Sequence, residues 1–234
     1  MTRVATPWIS PAPTGKHVLW AVLGIVALAA GAVAGIALAF WAGLGVAGVS
    51  ASAVVLAAGL PLAVLWFGLI KRCGWRVDDL GFCRPQHSLW HLLWWIPATI
   101  VLGGIGALLL GTLFGITPDG GPSTTDTAIE VHWSIVPLVA LGASVFVPLV
   151  EEIIFRRVLL DWLLTKMPTV VAAIIVIVAF TIAHISPTTM VYIIYLSTSL
   201  VLARLWFRSL WASLLIHAAN NGMLTTAAIA ALLS

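Results

Sequence analysis

Charge is what this chain has least of. Only 8% of its 234 residues are Asp, Glu, Lys or Arg, while 62% are hydrophobic. So little polar surface cannot cover a soluble globule, which excludes an aqueous enzyme or binding domain and puts the chain in a bilayer. Cysteine is scarcer still. Cys73 and Cys83 lie in a charged loop without the close paired spacing of zinc or redox motifs, so they read as free structural thiols. No soluble domain is left to place, and no internal repeat supports an inverted-repeat transporter. The first apolar segment is too long for a signal-peptide h-region and is expected to be a mature helix.

What the chain has is apolar length. A spanning helix needs roughly 20 predominantly apolar residues, and about seven segments qualify: 18–40, 46–70, 89–116, 134–160, 169–186, 189–206 and 210–232. The expected fold is an all-α polytopic transmembrane bundle with a polar active-site cavity inside the membrane. Residues 1–133 would supply the N-terminal spans, an interfacial loop and an exterior loop, and 134–234 the helical core of the site. The net charge of +3 comes from bases at helix ends, with no continuous patch, which excludes nucleic acid as a partner. Arg3, Lys16, Lys71, Arg72, Arg76 and Arg84 fall on one side of this topology and Asp119, Asp126 and Glu130 on the other. The positive-inside rule then makes the N-terminus cytoplasmic, the protein a multi-pass cell-membrane protein, and the C-terminus external.

Ala and Gly dominate the first two spans, and small residues let helix backbones approach where lipid supplies no hydrophobic drive. "GAVAG" at 31–35 fits that use within the protein. "KRCGWRVDDLGFCRPQHSLWHLLWW" mixes bases with Trp and reads as a headgroup-level loop, in which His87 and His91 are interfacial histidines beside Trp90. "TPDGGPSTTDTAIEVHW" at 117–133 has the composition of an exterior loop.

Against this background "EEIIFRR" at 151–157 puts four charges into seven residues. In a helix Glu152 and Arg156 share a face at i, i+4, while Glu151 points about 100 degrees away. One acid can be neutralised locally while the other faces something else. "FTIAH" places Phe180 and His184 at i, i+4 near the end of the fifth span, and "HAANN" places His217 and Asn221 on one face of the seventh. Ionisable groups at bilayer depth cost at least roughly 2.5–3.5 kcal/mol each and must face protein or a wet cavity. At about 1.5 Å per residue, Glu151 lies roughly 22 Å from Lys166, His184 roughly 24 Å from Pro168, and His217 to Asn221 roughly 14–20 Å from Arg208. They can meet within about two turns.

Four readings compete for this constellation: a polar packing network, a proton relay, a metal site and a hydrolytic site. A carboxylate in a low-dielectric pocket can take a proton from water, an imidazole can orient that water, and a second imidazole with an amide can donate to an oxyanion. Zinc could use the same side chains, but "HExxH" is absent and asparagine is a poor zinc ligand, so no cofactor is assigned; a chelator separates the two mechanisms.

The three motifs together resemble the CPBP family of intramembrane proteases, which includes the type II CAAX prenyl endopeptidases and bacteriocin-processing and self-immunity proteins. That family's signature is EExxxR, then FxxxH, then HxxxN or HxxxB, matched here by "EEIIFR", "FTIAH" and "HAANN". The resemblance covers about residues 134–225. It implies that Glu151 is the general base, that His184 holds the water, and that His217 and Asn221 form the oxyanion site. Glu152 and Arg156 would stabilise the helix pair, and Phe180 would pack beside His184. Arg157 stands where many members have glycine, and is expected at the cavity entrance or among the headgroups. The implied activity is glutamate-dependent cleavage of a lipidated or membrane-associated peptide. A non-catalytic immunity or scaffold protein and a proton-coupled carrier are the alternatives.

Overall fold

The computed structural model describes residues 8–116 and 136–233, and the described residues contain no strand. Seven principal helices follow in chain order among them. They are α1 (Gly15–Trp41), α2 (Val46–Leu65, widening into π-helical turns over Trp66–Arg72), α3 (Leu92–Phe114, entered by the 3₁₀ turn Leu89–His91) and α4 (Val136–Leu164), then α5 (Thr169–Ile182), α6 (Pro187–Phe207) and α7 (Leu210–Leu233). Arg3, the exterior loop with Asp119, Asp126 and Glu130, and the expected boundary at 133/134 lie outside the described residues. Five helices, α1 to α4 and α6, are long and apolar enough to cross a membrane. The molecule is a helical membrane bundle.

The remaining two helices fall short for different reasons. α7 has the length of a span but spends it on His217, Asn220 and Asn221. α5 was expected over 169–186 and stops at Ile182 after 14 residues, about 21 Å at 1.5 Å per residue, against roughly 30 Å of hydrocarbon. Its far end, with His184, therefore stops inside the bilayer. The chain turns there through Ile185 at φ 58°, a costly left-handed conformation for a β-branched residue. The segment "VLLDWLL" continues α4 and does not peel away along the interface.

Short connections make neighbouring helices antiparallel. Lys16, the loop 73–91, the end of α4 and the α6–α7 turn thus share one end, hereafter the basic end. There the loop docks on the turn: Leu210 N–H donates to Gly81 O (2.9 Å), Gln86 N–H to Phe207 O (2.8 Å), and Ser209 Oγ to Cys83 O (2.7 Å). Cys73 and Cys83 are both free thiols. His87 stacks on Trp206 with ring centroids 4.4 Å apart, and His91 meets the same indole edge-on at 5.0 Å.

Burial separates lipid-facing from core helices. Only 22% of the apolar window of α3 is buried, against 44% for α4 and for α6, so α4 runs through the core while α3 shows most of its surface to lipid. Leu102, Ile105, Leu108 and Leu109 of α3 are exposed, as lipid-facing side chains should be. The close approaches are made where side chains are absent. A Cβ on Gly31 would run into the carbonyl of Leu56, and one on Gly35 into that of Ser52, so "GAVAG" packs α1 on α2. Gly103 and Gly106 of α3 leave notches for Tyr192 and Tyr195 of α6.

Candidate active site

Helix α4 is irregular where it meets the polar residues. Its turns widen to π-helix over Gly142–Phe146 and again over Ile153–Leu160, a distortion that is frequent at functional sites. Despite this, Glu152 and Arg156 pair as i, i+4 at 3.1 Å, both with fully buried side chains. The Arg156 guanidinium lies over the Phe180 ring, 4.2 Å from its centroid, and donates to Ser197 Oγ of α6 at 3.4 Å. Glu152 is thus paired with a cation that is itself fixed from two other helices.

His217 of α7 sits between the two acids. Its Nδ1 is 3.0 Å from Glu152 Oε1 and its Nε2 is 3.5 Å from Glu151 Oε2. Glu152, already paired with Arg156, takes the Nδ1 proton, which leaves Nε2 to share or exchange a proton with Glu151. The two acids differ in access: the Glu152 side chain is 0% exposed and that of Glu151 is 16% exposed. Glu151 is therefore the acid that a small molecule can reach.

Phe180 is the hub of the site. Its ring, fully buried, lies 5.0 Å from Phe155, 4.8 Å from His184 and 5.8 Å from His217 between centroids. His184 lies beyond the end of α5, and its Nδ1 is 2.9 Å from Phe180 O. A carbonyl can only accept, so Nδ1 carries the proton and Nε2 presents a lone pair. Asn221 donates its Nδ2 to Ala143 O at 3.1 Å and accepts from Asn220 Nδ2 at 3.2 Å. Tyr192 in turn donates to Asn220 Oδ1. Among the described residues, no three His, Cys, Asp or Glu side chains are grouped as metal ligands.

The structure thus links Glu151, Glu152, Arg156, Phe180, His184 and His217 through direct contacts, and ties Asn221 to α4 through Ala143. It also brings in Tyr192, Asn220 and Ser197, which sequence reasoning passed over. The adjacent "NN" and the presence of both of the chain's tyrosines on α6 were the available signals. Arg157 is a correction. It reaches neither headgroups nor a cavity mouth but is 2% exposed, donating to Asp79 O (2.6 Å), Pro11 O (2.8 Å) and Asp161 Oδ2 (3.1 Å). Arg204 of α6 shares the same Asp161 oxygen at 2.6 Å. Trp75 and Trp8 lie under the two guanidiniums, at 4.3 and 4.8 Å. The entire cluster lies at the basic end and was missed because Asp161 and Arg204 looked like ordinary helix-end charges.

Neither a curated protein nor a solved structure matches the chain. Residues 133–223 match the family model described as Type II CAAX prenyl endopeptidase Rce1-like, and this range contains the three motifs and every residue of the constellation. Over that stretch, 91 of its 234 residues, the chain is similar to the type II CAAX prenyl endopeptidases.

Proposed function

We propose that this protein hydrolyses a peptide bond in a lipidated or membrane-associated peptide, with Glu151 as general base. The observation that carries the reading is the inequality of the two acids: Glu152 is fully buried and paired through Oε1 with both Arg156 and His217, whereas Glu151 is partly accessible and is paired, among the described residues, with His217 at a looser 3.5 Å. Glu151 takes a proton from a water whose second hydrogen is accepted by His184 Nε2. The oxygen attacks the scissile carbonyl, and the charge that develops on the carbonyl oxygen is met by the free N–H of Asn221. The Glu151–His217 contact of 3.5 Å is loose enough for a substrate oxygen to replace it; with Nδ1–H held by Glu152, His217 in its doubly protonated form would then donate Nε2–H to the same oxyanion. When the tetrahedral intermediate collapses, the C–N bond breaks and the proton held by Glu151 passes to the leaving amine.

Sidedness follows the charges. Lys16, Lys71, Arg72, Arg76, Arg84, Lys166 and Arg208 all belong to the basic end, which supports a cytoplasmic N-terminus. Reconstituted protein and its Glu151→Gln variant, matched for folding by size exclusion, would be assayed for peptide release with and without a chelator. Cleavage is expected to vanish in the variant and to survive the chelator; cleavage retained by the variant would sink the assignment.

A further inference from the structure

Asn221 is the end of a chain of hydrogen bonds whose direction can be worked out from one fixed point, the carbonyl of Ala143. That carbonyl lies in the first π-helical stretch of α4. Its i+4 donor, Val147 N–H, is taken by Gly142 O, and the i+5 position is Pro148, which has no N–H. The helix thus leaves Ala143 O without a backbone partner. An orphaned carbonyl inside a bilayer must be satisfied by a side chain, and Asn221 Nδ2 does so at 3.1 Å.

Everything beyond this point is forced. Because Ala143 O only accepts, the Asn221 amide must present its nitrogen there, and its Oδ1 must then accept from Asn220 Nδ2 at 3.2 Å. Asn220 Oδ1 remains, and the Tyr192 hydroxyl donates to it. A flip of Asn221 would set oxygen against oxygen at Ala143 and NH2 against NH2 at Asn220. Asn220 is 1% exposed, so water cannot substitute for a lost partner. The phenol is positioned by its ring, seated in the notch at Gly103, where a Cβ would fall 2.9 Å from Tyr192 Cε2.

We infer that Tyr192 and Asn220 are positioning residues: they lock the Asn221 amide in the single orientation that spends one N–H on Ala143 and keeps the other for the reacting carbonyl. The inference rests on the hydrolytic reading proposed above. It assigns to α6, whose residues appear in none of the three motifs, a part in the reaction.

The test is Tyr192→Phe, which keeps the ring in its notch and removes only the hydroxyl. In reconstituted protein kcat is expected to fall about tenfold with KM unchanged, less than the roughly 10²–10³-fold loss expected of Asn221→Ala as a direct oxyanion donor. The decisive measurement is the double variant: Tyr192→Phe should cost nothing further in an Asn221→Ala background. An unchanged kcat in Tyr192→Phe, or an equal loss in both backgrounds, would overturn the inference. If Tyr192→Phe does not fold, Asn220→Asp takes its place, keeping the shape and the acceptor for Tyr192 while removing the donor to Asn221, with the same two outcomes. Glu151→Gln run in parallel keeps the failures apart. Cleavage there would sink the hydrolytic reading, whereas its loss beside an unaffected Tyr192→Phe would sink the positioning role alone.

Discussion

Helix α4 carries two buried ionic clusters in successive turns, and they are built on opposite plans. The first, Glu151, Glu152, Arg156 and His217, has two acids for one arginine. The second, Arg157, Asp161 and Arg204, has one acid for two arginines. In the second, every guanidinium nitrogen of Arg157 has an acceptor, two of them main-chain carbonyls from the N-terminal segment and the loop before α3, and the guanidinium lies over the Trp75 indole. That cluster clamps four separate parts of the chain at the basic end. The first leaves one carboxylate accessible, held only by a loose 3.5 Å contact with His217 Nε2. Charge inside a membrane protein is thus not by itself a sign of chemistry; a spare, reachable proton acceptor is.

The sharpest way to test this contrast is to neutralise one acid from each cluster. Glu151→Gln should abolish peptide release, a loss of about 10²–10⁴-fold for a general base, while the melting midpoint in detergent stays the same or rises, since a charge with no arginine partner has been removed. Asp161→Ala should act in the reverse sense. It strands two buried guanidiniums, and breaking a buried pair in this way costs about 3–5 kcal/mol, so the midpoint should drop sharply and yield should fall. The comparison breaks if Asp161→Ala is as stable as the parent, or if Glu151→Gln unfolds.

A third substitution separates clamping from packing in general. Gly35→Val, on the α1–α2 contact and remote from both clusters, puts a side chain where the Ser52 carbonyl sits, and overpacking of this kind costs about 1–3 kcal/mol. Its melting midpoint should fall less than that of Asp161→Ala, and specific activity per folded molecule should be kept. Activity loss without loss of stability would mean that α1 and α2 contribute to the site.

How far the sequence revealed these arrangements depends on contrast. Glu151, Glu152, Arg156, His184, His217 and Asn221 stood out because polar residues are conspicuous in apolar helices, and counting along the helices placed them at compatible depths. The seven-helix layout was visible for the same reason. The clamp was not, because Asp161 and Arg204 lie near helix ends where charge is unremarkable, and the cluster is covered by Trp8 and Pro11 folding back from the far end of the chain. The early end of α5 was hidden because "HISPTT" offers several places to break a helix, and its sequence does not say that the turn comes as early as Ile185. Nor does any periodicity announce π-helical turns; Pro148 alone hinted that one carbonyl of α4 would need a partner from elsewhere.

The smallest expected effect is also the one that reads the clamp directly. Cys83 is exposed and its thiol donates to Arg208 O at 3.3 Å, on the loop that the clamp holds against the α6–α7 turn. Cys73 lies on the same end, half-buried, and burial pushes its thiol above the ordinary range. Since the thiolate is the reactive form, Cys73 should label with maleimide more slowly than Cys83 near neutral pH and gain on it as pH rises. Asp161→Ala, by loosening the loop, should speed Cys83 labelling about two- to threefold, a change in local opening of well under 1 kcal/mol. Glu151→Gln should leave that rate unchanged, because its cluster does not touch the loop. In sealed vesicles of known orientation the reagent should reach Cys83 from the cytoplasmic face. Labelling that responded equally to both variants would mean that the two clusters open together, and that the division of α4 into a clamp and a reactive site is wrong.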